Sequence, residues 1–388
     1  MKRPLSEILT ALGEQREDYF RAMAPPIVQT SNFAFPTIEA FRQGILDERG
    51  SHVYTRGNNP TVEILRKKLA ALEETDDALV LSSGSAACAM AIMSQVKSGD
   101  HVVCVRNPYS WTKALLSNYL PRFGVTTTYV DGTDVENIRT AIRPETRVIY
   151  LESPNTLTYE LQDLSACADL AQEHGIVTMI DNSHASPIFQ KPATLGIDLV
   201  IHTITKYLNG HSDVVAGAIC GPDHLIDRIF FSEFMTLGAV VSPMDAALTI
   251  RGLRTLDLRM RRCADSAMQI VPWLKSHPKI SQVLYPFDPD FPQYNLARRQ
   301  MSGCGGLLTI SVNAEKIEDV RRFVDALERF EIAVSWGGHE SLVLPIAALY
   351  GLEGRDDPEV PWNVVRLYIG LEDPGYLIED LERGLSVL

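Results

Sequence analysis

One lysine and one aspartate in this chain stand where paired chemistry is possible. Lys206, in the stretch HTITKYLNGHSD, follows the apolar run Leu199, Val200, Ile201, a pattern that predicts a turn leaving a buried strand. Taken alone, such a lysine reads as a solvated charge. Asp181, however, closes an earlier apolar run, Ile176 to Ile180. An amine and a carboxylate at two strand ends are what pyridoxal phosphate (PLP) requires. The amine forms a Schiff base with the aldehyde, and the carboxylate keeps the pyridine nitrogen protonated so that the ring accepts electrons.

A phosphate needs its own cradle. The run LSSGSAA follows an expected strand and opens a helix, whose first N–H groups lack partners and carry the positive end of the dipole. Gly84 permits close approach of an anion, and Ser83 and Ser85 add hydroxyls. By itself the segment reads first as a serine-capped helix. Thr203 and Thr205 flank the lysine and could serve the same phosphate. Agreement among separate segments turns the reading toward a binding site.

Further candidates lie elsewhere. Tyr54 and Arg56, in YTRGNNPT, suit a dianionic phosphate, or are a solvated pair on a loop. Tyr109, in RNPYSW, follows a strand and could stack on a flat ring, or lie in the core. Arg366 sits in the otherwise apolar run Val364 to Ile369. A buried guanidinium needs an anionic partner, either a substrate carboxylate held by two parallel bonds or a structural ion pair.

The elements that must position these groups alternate between strand and helix. Strands are expected at Ala78–Leu81, His101–Val105, Thr126–Val130, Val148–Leu151, Ile176–Ile180, Leu199–Thr203 and Ala216–Cys220. Helices are expected at Thr61–Glu74, from Gly84, and at Asp163–His174. The alternation predicts an α/β fold with a mostly parallel sheet covered on both faces. One long helical stretch runs from Pro243 to about Ser276, with a basic face (Arg251, Arg254, Arg259, Arg261, Arg262) that reads as solvated or intersubunit. Beyond it, strands at Leu307–Val312, Ala333–Ser335 and Val364–Gly370, with helices at Ile317–Phe330 and Leu377–Leu385, predict a smaller α+β domain. The domain expectation is an arm (1–50), a large domain (51–242) and a small domain (243–388).

At 388 residues, the chain exceeds one ordinary core. A net charge of -13 disfavours nucleic acid and anionic membranes as partners, though not small anions. The six cysteines are scattered without a CxxC pair or a His/Cys cluster, so reduced core thiols are expected and no metal. Neither a secretory signal nor a membrane span is visible, which points to the cytoplasm.

The phrases ESPNTLTYE (152–160), DNSH…LGIDLVIHTITKYLNGHSD (181–213), SWGGHESL (335–342) and VRLYIGLEDPGYLIEDLERGL (365–385) resemble the PLP-dependent enzymes of cysteine and methionine metabolism (transsulfuration). Within that family the likeness is greatest to bacterial cystathionine β-lyase. The resemblance implies fold type I of the PLP-dependent transferases, with a seven-stranded sheet in the large domain. It also implies roles. Lys206 carries the coenzyme and moves protons, Asp181 binds the ring nitrogen, and Tyr109 stacks on the ring and belongs to the catalytic set. Gly84, Ser85, Thr203 and Thr205 hold the phosphate. Tyr54 and Arg56 reach a neighbouring subunit's coenzyme, which implies a homotetramer of active-site-sharing dimers. Arg366 and Ser335 grip the substrate carboxylate, with Trp336 and either Asn155 or Thr156 nearby.

Some positions depart from the family pattern. Ser85 stands where many relatives have methionine. Val334 stands where γ-eliminating relatives often carry glutamate and β-lyases tyrosine, while Trp336 matches the β-lyases. The implied activity is α,β-elimination from cystathionine or a related sulfur amino acid, giving homocysteine or another thiol, pyruvate and ammonia. The alternatives are a γ-lyase or γ-replacement synthase and, more remotely, a non-catalytic binding protein of the same fold.

Overall fold

The computed structural model describes residues 3–353 and 357–388, which separate into two compact units. The first comprises residues through Ser153 together with Gln162–Asn209 and Asp213–Leu256. The second comprises Pro154–Leu161, Gly210–Ser212 and Asp257–Leu388.

The first unit holds a seven-stranded sheet. Its strands are β1 (Asp77–Leu81), β2 (His101–Val105), β3 (Thr126–Val130), β4 (Thr146–Glu152), β5 (Val177–Asp181), β6 (Leu199–Thr203) and β7 (Gly217–Gly221). They lie in the order β1-β7-β6-β5-β4-β2-β3. Only β7 runs against its neighbours, β1 and β6; the other pairings are parallel. The C-terminal ends of six strands therefore emerge on one edge of the sheet. Leu81, Val105, Glu152, Asp181 and Thr203 each end a strand there, which is where ligands bind in open parallel sheets.

Burial explains the apolar runs. Leu79, Leu81, Val102, Cys104, Val148, Tyr150, Met179, Leu199 and Ile201 form one core with Cys88 and Ile92 of helix α2 (Gly84–Met93). Helix α1 (Pro60–Glu73) starts at Asn59, whose side chain accepts the Thr61 N–H, with Pro60 preset for the first turn. Its apolar stripe (Ile64, Leu65, Leu69, Leu72) is buried, and the helix expected at Asp163–His174 forms as α3 (Leu164–His174). Lys68 and Glu73 of α1, although charged, are buried too. The Lys68 amine is satisfied by Glu14 at 3.2 Å and by the carbonyls of Ile8 and Leu9, which ties the N-terminal arm to α1.

The second unit contains a five-stranded sheet ordered β10-β11-β12-β9-β8. Its strands are β8 (Ile280–Leu284), β9 (Leu307–Val312), β10 (Glu331–Ile332), β11 (Leu342–Pro345) and β12 (Val364–Tyr368). Helices α5 (Leu256–Ser276), α6 (Ile317–Asp325) and α7 (Pro374–Ser386) supply Ile270, Leu274, Phe323, Leu377 and Leu381 to a core with Leu308, Ile310, Val365 and Leu367. The fold is α/β, with a mostly parallel large sheet and a smaller α+β unit.

Several boundaries correct the sequence reading. The stretch from Pro243 is two helices, α4 (Pro243–Leu253) and α5, because the chain turns at Thr255, whose N–H bonds the Gly252 carbonyl. Helix α6 stops at Asp325 rather than Phe330, since the buried Asp380 carboxylate accepts the N–H groups of Glu328, Arg329 and Phe330 in a turn. Residues 333–335 are loop, not strand: Ser335 has φ +80°, incompatible with an extended ladder. The basic run is not one solvated face either. Arg259 is buried, packed so tightly on Gly210 that a Cβ there would lie 1.7 Å from its guanidinium, and Arg262 donates to the carbonyls of Leu371 and Glu372. All six cysteines are buried.

Candidate active site

At the sheet edge of the first unit, β1 leads through Ser83 into α2. Ser83 caps this helix with its own hydroxyl, accepting the Ala86 N–H at 3.1 Å. Its side chain is thereby committed to the helix. Gly84 opens the helix against Thr203, and a Cβ at Gly84 would lie 2.1 Å from the Thr203 hydroxyl and 2.8 Å from its Cβ. Gly217 of β7 is equally constrained, since its Cβ would lie 2.3 Å from the Ser83 carbonyl. Sequence reasoning missed Gly217. Its signal was a glycine opening an otherwise apolar strand, which marks close backbone approach.

Lys206 occupies a turn just past β6, with its N–H bonded to the Thr203 carbonyl at 3.1 Å. Thr203 donates its N–H to Ser183 Oγ at 2.6 Å. Thr205 is committed differently from expectation. Its hydroxyl donates to the Ala216 carbonyl and accepts the Ala216 N–H at 3.1 Å, so its proton is already engaged.

Asp181 is 6% exposed, and its carboxylate accepts the Ser183 N–H at 3.0 Å. Burial pushes this carboxyl above the usual carboxylate range. The Ser183 bonds and the charges of His202 and Lys206 pull it back. A buried acid in that condition accommodates a cation. The aspartate and the lysine thus act on one another electrically.

Tyr109 lies immediately before a short helix, half-exposed, with its hydroxyl 3.5 Å from Ser85 Oγ. Its N–H is held by the buried Glu152 at 2.6 Å. Behind the strand ends, on α1, Glu73 accepts from Asn182 at 3.0 Å and pairs with His202, while Gln190 bonds Asn182 and the Ser153 carbonyl. Neither Glu152 nor Glu73 was singled out in the sequence. Each is an ordinary glutamate by pattern, and only tertiary placement buries it. Tyr54 and Arg56 are exposed on the loop before α1, with the guanidinium over the tyrosine ring at 5.4 Å.

The second unit carries the remaining candidates. Arg366 on β12 donates to the Ser335 carbonyl at 3.1 Å and to the Thr156 carbonyl at 3.4 Å. Among the described residues no carboxylate pairs with it, and burial lowers its affinity for its proton. Ser335 holds its left-handed backbone conformation beside the buried Trp336, the sort of local strain that concentrates at functional sites. Asn155 is not a free ligand: its Oδ1 accepts the N–H groups of Leu157, Thr158 and Tyr159, shaping its loop. Val334 is 75% exposed.

These residues fit PLP. A helix start kept bare by Gly84 against Thr203 suits a phosphate, a buried acid suits the ring nitrogen, and Lys206 follows the end of the neighbouring strand β6.

Comparison with known proteins agrees. A family model described as Cys/Met metabolism PLP-dependent enzyme matches residues 7–386. An L-methionine gamma-lyase of Pseudomonas deceptionensis is 39% identical over 95% of this chain and 93% of its own. A cystathionine gamma-synthase of Mycobacterium leprae is 37% identical over 94% and 92%. The crystal structure of metB from Corynebacterium glutamicum superposes with a TM-score of 0.91 at 33% identity, covering 99% of this chain and 98% of that one.

Proposed function

Because the chain belongs to the Cys/Met metabolism PLP-dependent enzyme family, we propose that it is a carbon–sulfur lyase acting on a sulfur amino acid. The observation that carries this is that the turn bearing Lys206 follows β6 directly, and β6 lies parallel beside β5, which ends at the buried Asp181. When bound, PLP supplies a ring that delocalises the electron pair left as the substrate Cα proton departs. The residues supply the rest. The Lys206 amine binds the coenzyme, then takes the Cα proton and returns it. The Asp181 carboxylate holds a proton on the ring nitrogen. Tyr109 covers the ring. Gly84, Ser85 and Thr203 receive the phosphate, with Thr205 steadying the β6–β7 connection. Arg366 takes the substrate carboxylate with its guanidinium fork, oriented by the carbonyls of Ser335 and Thr156.

Between the two eliminations, each of which consumes one water, we favour removal of a γ-thiol, from methionine or cystathionine, giving the thiol, 2-oxobutyrate and ammonia. The support is the similarity to methionine gamma-lyase over nearly the whole chain. This step asks Lys206 to move a second proton at Cβ. A second reading is α,β-elimination from cystathionine, giving homocysteine, pyruvate and ammonia. It rests on the buried Trp336 in SWGG, which matches the β-lyases, and on Val334 in place of the glutamate of γ-acting relatives. γ-Replacement uses the same groups with a thiol acceptor, as the likeness to cystathionine gamma-synthase suggests.

Tyr54 and Arg56 are assigned to a neighbouring copy's phosphate. The proposed active unit is accordingly a dimer, paired into a tetramer, in the cytoplasm. The deciding experiment is a product screen over cystathionine, cysteine, methionine and O-acylated homoserines. Under the favoured reading, 2-oxobutyrate appears from methionine. Pyruvate from cystathionine, without 2-oxobutyrate from any substrate, transfers the assignment to β-elimination. Absence of any turnover together with bound PLP leaves a binding protein of this fold.

A further inference from the structure

Glu152 is the last residue of β4, 4% exposed, and its register partner on β5 is Asp181. Two carboxyl groups therefore stand side by side at the edge where the coenzyme is assigned. Glu152 Oε2 accepts the Tyr109 N–H at 2.6 Å, and the Glu152 main-chain N–H is fixed by Gln162 Oε1 at 3.2 Å. The titratable groups around it are Asp181 on β5, Cys88 on α2, Cys104 on β2 and Tyr150 on β4. All four are acids; the cations of the site, His202 and Lys206, act on Asp181, and among the described residues no cationic side chain pairs with Glu152. Of two adjacent buried carboxyls, the one without a cation is the one that stays protonated.

We propose that Glu152 is a positioning residue: it fixes Tyr109 through the main-chain N–H and, uncharged, leaves Asp181 as the single carboxylate facing the ring nitrogen. This rests on the assignment of Asp181 and Tyr109 to the coenzyme ring. Burial and the neighbouring Asp181 both push the Glu152 carboxyl well above the usual range, in keeping with a neutral acid. An uncharged acid still offers its carbonyl oxygen to an N–H. It also spares the site a second negative charge, which would otherwise compete with Asp181 for the proton on the ring.

The test uses the holoenzyme and its reconstituted apo form. Glu152→Gln keeps size, neutrality and a carbonyl acceptor, whereas Glu152→Ala leaves the Tyr109 N–H without its partner. Titrating apoenzyme with PLP, Glu152→Ala binds about tenfold more weakly and Glu152→Gln no more than about threefold, from the usual cost of a donor deprived of its acceptor. Visible circular dichroism of the bound coenzyme, which reports ring orientation, changes in the alanine variant and is rescued in the glutamine variant. Infrared difference spectra of the wild type show a protonated carboxyl stretch that Glu152→Gln removes, a readout that stands even if the alanine variant misfolds. Absence of that band, equal damage from both substitutions, or a wild-type alanine variant overturns the proposal. Failure of the underlying reading looks different: Lys206→Ala would then retain lyase activity, whatever Glu152 does.

Discussion

Gly84 and Thr203 face each other so closely that a methyl group on the glycine would lie within 2.9 Å of three Thr203 side-chain atoms. Turning the threonine rotamer does not relieve this, because its Cβ is among them. The mouth of α2 and the end of β6 are thus shaped against one another, with no room for a side chain at residue 84.

Gly84→Ala is accordingly expected to weaken PLP binding roughly 5- to 150-fold, the range of overpacking penalties of about 1–3 kcal/mol. Equilibrium titration of apoenzyme reads this directly. Wild-type affinity in the variant would show that the phosphate sits elsewhere.

Lys206→Ala is expected to lose the visible absorbance of covalently bound coenzyme and at least about a hundredfold in turnover, the low end for a positioned acid–base group. PLP should still associate through Asp181 and the phosphate cradle, detectable after denaturation. Retention of the band and of activity would remove the lysine from its assigned role.

Arg366→Ala is expected to raise KM, with a loss on the order of 2–5 kcal/mol in kcat/KM for a buried charge pair deprived of one partner. PLP affinity should be unaffected. Arg366→Lys should recover only part, since an ammonium cannot match the planar fork. An unchanged KM in Arg366→Ala would return the guanidinium to a structural role.

Glu63 gives a stability prediction with a definite sign. Its hydrogen bond with His52, reinforced by Lys67, lowers its carboxyl to about 2, against burial, which acts the other way. A depressed folded value means that the stabilisation is complete above the ordinary carboxylate range, near 4.5, and is lost as pH falls toward 2. The urea midpoint of the wild type should exceed that of Glu63→Gln at pH 6, with the gap closing between those two values. A gap that persists at low pH would mean the pair contributes through packing alone.

Much of this fold is legible in the sequence, and the reason is periodic burial. β2 and β6 fall where the sequence pattern places them, because both are buried along nearly their whole length, whereas β3 forms at its expected place as a half-exposed edge strand rather than a buried one. Lys206 and Asp181 stand out in the sequence because strand ends are visible where apolar runs stop. β8 was not found: its residues are largely exposed at a sheet edge, so no alternation marks them. Glu152 and Glu73 were passed over because a buried charge looks like any other until its partners, Tyr109 in one case and His202 in the other, are brought to it from distant segments. Asn155 and Thr205 illustrate the converse. Their side chains seemed available by type, yet local backbone groups had already claimed them.

The excursions of the chain at 154–161 and 210–212 into the second unit bear on how the enzyme is made. Thr156 leaves the ribosome long before Arg366, its partner 210 positions later, so the loop it belongs to must wait for that contact until synthesis is nearly finished. Translation cut short ahead of β12 would deliver a polypeptide with its lysine and aspartate in hand but without the arginine proposed to grasp a substrate's carboxylate.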